Sequence, residues 1–185
     1  EIKQNINKLN LIDYNPTIIA VSKTFKMDHI SHIVNFGHTH FGENKVQEAQ
    51  EKWSTIKEKN QSIKLHMIGK LQSNKVKNAL KIFDFIHSVD SKKLAQKISI
   101  EQKNLNKKIE IFLQVNLANE TQKSGITKEE LIDLLNFCKV NNLNVIGLMC
   151  LPPFNEDSEK YFSELKILND KYKLKKLSMG MSHDY

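Results

Sequence analysis

The chain has 185 residues, a length typical of one domain with a buried core, and a formal net charge of +7 at pH 7. All 28 basic residues are lysine, so the sequence lacks the arginine forks on which sequence-specific nucleic-acid readers depend. The longest apolar stretch, residues 145–151, is too short to span a bilayer, and residues 1–10 do not resemble a signal peptide. Cys138 and Cys150 fit small buried hydrophobes in a reducing compartment. We therefore expect a cytoplasmic protein that binds no specific nucleic acid and no membrane.

Short apolar runs suited to β-strands alternate along the chain with amphipathic segments suited to helices. The first run, TIIAVSK, follows Pro16 and is rich in β-branched residues. The helix after it begins near Asp28, a candidate N-cap, and ends at Gly37. The predicted strands are residues 17–23, 38–44, 64–69, 85–89, 110–116, 145–151 and 176–181.

Three later helices carry their own start signals. Ser73 is a candidate cap for the helix after the third strand, and Asp90 or Ser91 for the helix after the fourth. Thr127 with Glu130 matches a capping box ahead of the helix that follows the fifth strand. Strand and helix therefore alternate to the end of the chain.

This alternation favours a parallel sheet covered by helices, the α/β class. Seven strands about 20 to 35 residues apart fit a (β/α)8 TIM-type barrel better than a doubly wound sheet, and no G-x-G-x-x-G follows the first strand. The sequence stops at Tyr185, where a further helix and an eighth strand would follow. We expect residues 1–185 to form a single barrel domain that lacks its last helix and strand and is clipped at its N-terminus.

In such a barrel the reacting groups lie at the carboxyl ends of the strands. Lys23 ends the first predicted strand behind the apolar residues 18–21, so its stem is expected to rise from the core. A partly desolvated lysine amine is competent for imine formation. Position alone nevertheless favours a solvated lysine at a strand end, because lysine is abundant in this chain.

Residues 177–182 (LSMGMS) follow the seventh strand, where barrels commonly bind phosphate. Ser178 and Ser182 supply hydroxyls, and Gly180 permits a turn that directs backbone N–H groups at an anion. A turn of small residues that closes the strand is an equal alternative. An amine after strand one and a phosphate cup after strand seven meet the needs of a pyridoxal 5′-phosphate site.

A series of motifs runs in order from about residue 17 to the end of the chain. The segments are AVSK (20–23), FGENKVQE (41–48), HMIGKLQSNK (66–75), SVDS (88–91), QVN (114–116) with Glu120, Lys123 and Gly125, GLMCLPP (147–153) and LSMGMSHD (177–184). Single motifs are weak signals, but the ordered set is specific, and it resembles the motifs of the pyridoxal phosphate homeostasis proteins.

The resemblance implies a fold-type III barrel, like the N-terminal domain of alanine racemase, that holds pyridoxal 5′-phosphate. It implies Lys23 as the Schiff-base partner of the cofactor, Ser178 as the serine that contacts the phosphate, and Asn44 as a residue near the ring. The Arg-Ile-Gly element that completes the family's phosphate cup has no counterpart in this sequence before Tyr185.

Two other groupings have simpler explanations. His38 and His40 place two imidazoles on one face of the second strand, but no acidic or thiol partner has a suitable spacing. We expect a packed or surface pair there and no metal. Glu120 and Lys123 fit a local ion pair or a second cofactor contact, and the ion pair is favoured.

We therefore expect an intracellular carrier or buffer of pyridoxal 5′-phosphate, a monomer, with apo-enzymes that require the cofactor as candidate partners. The alternative is a pyridoxal phosphate-dependent amino-acid racemase, which needs a second base that the related racemases take from a separate domain. None of the four tyrosines obviously faces Lys23, and no arginine is available for the pyridine nitrogen, which favours a carrier over an enzyme. A third alternative is a binding scaffold without a cofactor.

Overall fold

In the part of the chain that the structure describes, seven parallel strands form one sheet in the order in which they occur in the sequence, β1 to β7. The computed structural model describes residues 2–10, 15–118, 124–181 and 184. The strands are β1 Ala20–Val21, β2 His40–Glu43, β3 Lys64–Met67, β4 Phe85–Val89, β5 Glu110–Gln114, β6 Asn144–Met149 and β7 Lys176–Ser178.

Helices connect successive strands and cover the outer face of the sheet. No helix in the described part of the chain is long and apolar enough to cross a membrane. The helices are α1 Ile2–Lys8, α2 Met27–Asn35, α3 Val46–Lys59, α4 Val76–Ile82 (after a 3₁₀ turn, Ser73–Lys75), α5 Lys92–Asn104, α6 Leu131–Val140 and α7 Ser158–Lys171.

All seven predicted strands are present, most of them shorter than predicted. Only β4 has the predicted bounds, whereas the first strand shrinks from residues 17–23 to Ala20–Val21. The physical reason is that, among the described residues, β1 pairs with β2 alone, through Ala20 and Val21 and one further hydrogen bond at Ser22. An apolar run predicts burial, but the partner strand decides how much of the run becomes a strand.

The predicted capping signals have different outcomes. The reciprocal hydrogen bonds of the capping box are present, because Thr127 N donates to Glu130 Oε2 (3.0 Å) and Glu130 N donates to Thr127 Oγ1 (3.3 Å), and Glu130 is the N-cap residue of α6. Ser91 is confirmed as the cap of α5. The caps at Asp28 and Ser73 are wrong: Lys26 and Lys75 occupy the N-cap positions of α2 and α4. Asp28 lies inside the first turn of α2, where its charge favours the helix dipole.

The main core lies between the sheet and its helices. Its largest fully buried side chain, Trp53 of α3, packs against Phe41 of β2 with ring centroids 4.6 Å apart. Cys138 and Cys150 are free and buried as expected, and burial raises the pKa of each thiol to about 12. A smaller apolar cluster, on the inner side of the sheet, contains Phe112, Ile146 and Met149, with Phe85 packed against it.

The sheet is curled. His87 on β4 and Ser178 on β7 are joined by a hydrogen bond of 2.7 Å, although β5 and β6 lie between these strands. Three strand spacings in a flat sheet would separate them by about 14 Å. The inner faces of β4 and β7 therefore face each other, as in part of a barrel wall, and the carboxyl ends of all strands lie at one end of it.

Candidate ligand site at the carboxyl ends of the strands

Lys23 lies just beyond β1, at the start of the turn that leads to α2. The ladder continues one residue past the strand, because Ser22 N donates to Gly42 O (2.9 Å). The Ser22 side chain points to the outer side, where its Oγ donates to Glu43 (2.7 Å). Since neighbouring side chains alternate along an extended backbone, we expect the exposed Lys23 to point to the inner side.

A buried carboxylate holds the residue before Lys23. Glu43 is fully buried, and its Oε1 accepts hydrogen bonds from Ser22 Oγ (2.7 Å), Lys52 Nζ (2.9 Å) and Trp53 Nε1 (3.0 Å). Lys52 Nζ also donates to the Ser22 carbonyl oxygen (2.8 Å). Ser22 is thus fixed through its side chain and its backbone.

A second carboxylate holds the residue after Lys23. Thr24 has a φ of +67°, a left-handed conformation that is costly for a β-branched residue. Its N–H donates to Glu48 Oε1 (2.8 Å), which also accepts from Lys52 Nζ (3.1 Å). The Thr24 N–H lowers the pKa of the Glu48 carboxyl, so this acceptor stays ionised. We call the three residues Glu43, Glu48 and Lys52 the Lys23 clamp.

Asn44 follows β2 at the same end of the sheet. Its Oδ1 is buried and has no hydrogen-bond partner among the described residues. The loop after β3 comes very close: a Cβ on Gly69 would lie 2.6 Å from Asn44 O and 2.7 Å from Asn44 Cβ, so only glycine fits there. A buried acceptor without a partner is costly unless a ligand or water supplies a donor.

Ser178 and Gly180 lie at and just after the end of β7. Ser178 Oγ is 2.7 Å from His87 Nδ1. Gly180 has a φ of +92°, which explains the glycine, and a Cβ there would meet nothing within 4 Å, so the space around it is open. Ser182, Glu120 and Lys123 lie outside the described residues.

Three imidazoles line the inner face of β2, β3 and β4. His40 Nδ1 lies 2.9 Å from His66 Nε2, and His66 Nδ1 lies 2.9 Å from His87 Nε2. Desolvation lowers the pKa of His66 to about 2 and that of His87 to about 3. Phe85 stacks on His66 and Phe112 on His87, each with centroids 4.3 Å apart.

The sequence pattern did not predict this chain of rings or the Lys23 clamp. It paired His38 with His40, whereas His38 Nε2 contacts the His40 carbonyl oxygen (2.9 Å) and the His40 ring contacts His66. Within the described ranges, no group of three or more His, Cys, Asp and Glu side chains is arranged to hold a metal ion. The available signal was a histidine at an inward position of both the third and the fourth strand.

Comparison with known proteins defines the class. The family described as alanine racemase, N-terminal domain, matches residues 1–185. An alanine racemase from Clostridium difficile has the same fold, with a TM-score of 0.66 and 15% identity over 91% of this chain and 46% of its own. The curled sheet of seven parallel strands is thus consistent with the barrel fold of this family.

Other relatives are closer in sequence. The chain is 38% identical to a pyridoxal phosphate homeostasis protein from Helicobacter pylori, over 91% of this chain and 78% of the relative. It is 34% identical to one from Pasteurella multocida, over 90% of this chain and 76% of the relative. PipY of Synechococcus elongatus, solved with and without pyridoxal phosphate, has a TM-score of 0.82 and 30% identity over 100% of this chain and 91% of its own. The chain belongs to the pyridoxal phosphate homeostasis protein family.

Proposed function

We propose that this protein binds pyridoxal 5′-phosphate reversibly, as a carrier or buffer, with the cofactor attached to Lys23. The observation that carries the proposal is the clamp, which fixes the residues on both sides of Lys23 at the carboxyl end of the sheet. A backbone that is held on both sides of a lysine limits where its amine can lie, which favours reaction with a ligand bound at one place. The names of the homeostasis proteins and the PipY structure with pyridoxal phosphate bound support the same ligand.

The residues at this end of the sheet fit the cofactor. The Lys23 amine can condense with an aldehyde and release one water. Ser178 offers a hydroxyl, and the open space beside Gly180 leaves room for a phosphate group. Asn44 offers a buried amide whose oxygen has no partner among the described residues. When bound, the cofactor supplies a reactive aldehyde, and Lys23 keeps it from reacting elsewhere.

An absorption spectrum of the protein mixed with pyridoxal 5′-phosphate tests the proposal. We expect a band of cofactor bound to an amine, and after borohydride reduction we expect the added mass on the peptide that contains Lys23. Lys23→Ala should abolish the band. Lys26→Ala, a change of a nearby exposed lysine, is the matched control and should keep it. A band that survives Lys23→Ala would contradict the assignment.

We further propose that the protein is a carrier and not an amino-acid racemase. The relatives are named as homeostasis proteins. Of the described tyrosines, Tyr161 lies on α7, where its hydroxyl donates to Glu156 (2.7 Å), and Tyr172 ends that helix. Neither is placed to act as a second base opposite Lys23. The loaded protein incubated with L-alanine should yield no D-alanine, and turnover near 1 s⁻¹, roughly the low end of the enzyme range, would contradict this.

The proposal also covers the closure of the barrel, the partners of the protein and its oligomeric state. The edge strands β1 and β7 would flank the closing strand of an eight-stranded barrel in one domain, because curling brings them toward each other. Apo-enzymes that require the cofactor are the proposed partners, and the protein is proposed to act as a monomer.

A further inference from the structure

Four hydrogen-bonding groups form a continuous chain through the inside of the curled sheet. It runs from His40 on β2, through His66 on β3 and His87 on β4, to the Ser178 hydroxyl on β7. The three contacts are 2.9 Å, 2.9 Å and 2.7 Å long. These hydrogen-bonded side chains thus join the proposed phosphate site, at the carboxyl end of the sheet, to His40 at the opposite end, where it is the first residue of β2.

Each of the three hydrogen bonds has one proton, which belongs to one of its two partner atoms. His66 uses Nε2 toward His40 and Nδ1 toward His87, and His87 uses Nε2 toward His66 and Nδ1 toward Ser178. Desolvation keeps both buried rings neutral near pH 7, so each ring carries one proton. A neutral imidazole that donates at one nitrogen accepts at the other. All the hydrogen bonds in the chain therefore point the same way.

Two directions are possible, and they differ at Ser178. In the first direction every ring is protonated at Nδ1, and His87 donates to the Ser178 oxygen, which leaves the hydroxyl proton available to a ligand. In the second direction Ser178 donates its proton to His87, and every ring is protonated at Nε2. Ser178 then presents only lone pairs. A phosphate oxygen accepts hydrogen bonds, so it is held by the first direction and repelled by the second.

We propose that a phosphate group bound at Ser178 fixes His40, His66 and His87 together as Nδ1–H tautomers. His87 is then a positioning residue that orients the Ser178 hydroxyl and strengthens it as a donor through hydrogen-bond cooperativity. The ligand also determines which nitrogen of the partly exposed His40 carries a proton. This inference rests on the proposed role of Ser178 as a phosphate contact.

Nitrogen NMR of ¹⁵N-histidine-labelled protein tests the inference, because protonated and unprotonated ring nitrogens have separate resonances. With pyridoxal 5′-phosphate bound, as monitored by absorption on the same sample, we expect Nδ1–H at all three rings. The exposed His32 on α2 is the internal reference and should not respond to the cofactor. An Nε2–H tautomer at His66 or His87 in a sample that shows the bound-cofactor band would overturn the inference and leave the proposed function intact.

The absence of the band would instead contradict the proposed function. Inorganic phosphate is then the probe, and Nε2–H tautomers in its presence would overturn the inference as well. Pyridoxal, which lacks the phosphate, is the matched ligand control and should not impose the Nδ1–H tautomers.

Two variants of His87 give a second readout. His87→Phe removes the donor that orients Ser178 and is expected to weaken pyridoxal 5′-phosphate binding about fivefold, the usual effect of losing a hydrogen bond between two neutral groups. His87→Asn keeps an amide donor near the position of Nδ1 and should bind within about threefold of the unaltered protein. Equal binding by His87→Phe and the unaltered protein would contradict the positioning role. The spectra of the unaltered protein remain a test if His87→Phe does not fold.

Discussion

At the scale of single residues, the Ser178 hydroxyl group has two roles: it contacts His87, and it is the proposed contact for the phosphate. Its oxygen lies 2.7 Å from His87 Nδ1, and it ends β7 beside the open space at Gly180. The contact with His87 can direct the hydroxyl proton away from the ring and toward this space. A serine in this position is suited to an anion, and a single substitution can separate that role from its role in packing.

We predict that Ser178→Ala weakens binding of pyridoxal 5′-phosphate about tenfold or more, because a hydrogen bond to a charged group contributes about 1.5–3 kcal/mol. Pyridoxal has no phosphate, so its binding should be nearly unchanged. Titrations of both ligands, followed by absorption, measure the two effects. An equal loss for both ligands would indicate a folding defect and contradict the phosphate role.

At the scale of elements, α3 positions the first strand. Glu48 and Lys52 are four residues apart on this helix, so they share one face, and the next residue, Trp53, is buried against the sheet. Their contacts to Glu43 and to the backbone of residues 22 and 24 supplement β1, which has only two residues in its ladder. The segment from residue 41 to residue 53 therefore acts as the support of the turn that contains Lys23.

The pair of Lys52 and Glu43 is the part of this support that a mutation can test. Lys52→Met should destabilise the fold by about 3–5 kcal/mol, because it leaves the fully buried Glu43 without its counter-charge. Urea unfolding measures this change. The matched control is Lys166→Met, which breaks an exposed pair with Asp170 on α7 and should cost less than about 1 kcal/mol. Similar costs for the two variants would contradict the role of the buried pair.

At the scale of the whole molecule, the buried imidazoles make stability depend on pH. In the folded protein the pKa values of His66 and His87 are about 2 and about 3, against an ordinary value of 6.5. Below pH 6.5 the unfolded chain binds protons at these two rings and the folded protein does not. Their contribution to stability is therefore complete above pH 6.5 and is lost as the pH falls from 6.5 toward the folded values.

Between pH 7.0 and pH 5.5 we predict a loss of about 2.5 kcal/mol in the free energy of unfolding from these two rings, at about 1.4 kcal/mol per pH unit for each ring below pH 6.5. His87→Asn should remove about half of this loss, because one of the two groups no longer titrates. His32→Asn, an exposed change on α2, should leave it unaltered. Urea unfolding at both pH values measures the difference. The same loss in His87→Asn and in the unaltered protein would contradict the assignment.

The sequence by itself determined the local and repeated features of this protein. The alternation of apolar runs and amphipathic segments gave seven strands in the correct order, and the Thr127–Glu130 capping box was correct because its two residues are three positions apart. The ordered motifs also gave the family and the candidate residues Lys23, Asn44 and Ser178. These features depend on spacing along the chain, which a sequence displays directly.

Only the tertiary structure decided which distant side chains meet. His87 and Ser178 are 91 residues apart in sequence, and they touch because the sheet curls. Ser22 and Glu43 are 21 residues apart, and they meet because β1 and β2 pair in one register. The physical reason is that the contacts of a buried polar group depend on curvature and register, both of which result from packing of the whole chain. The imidazole chain and the Lys23 clamp therefore could not be found from spacing alone.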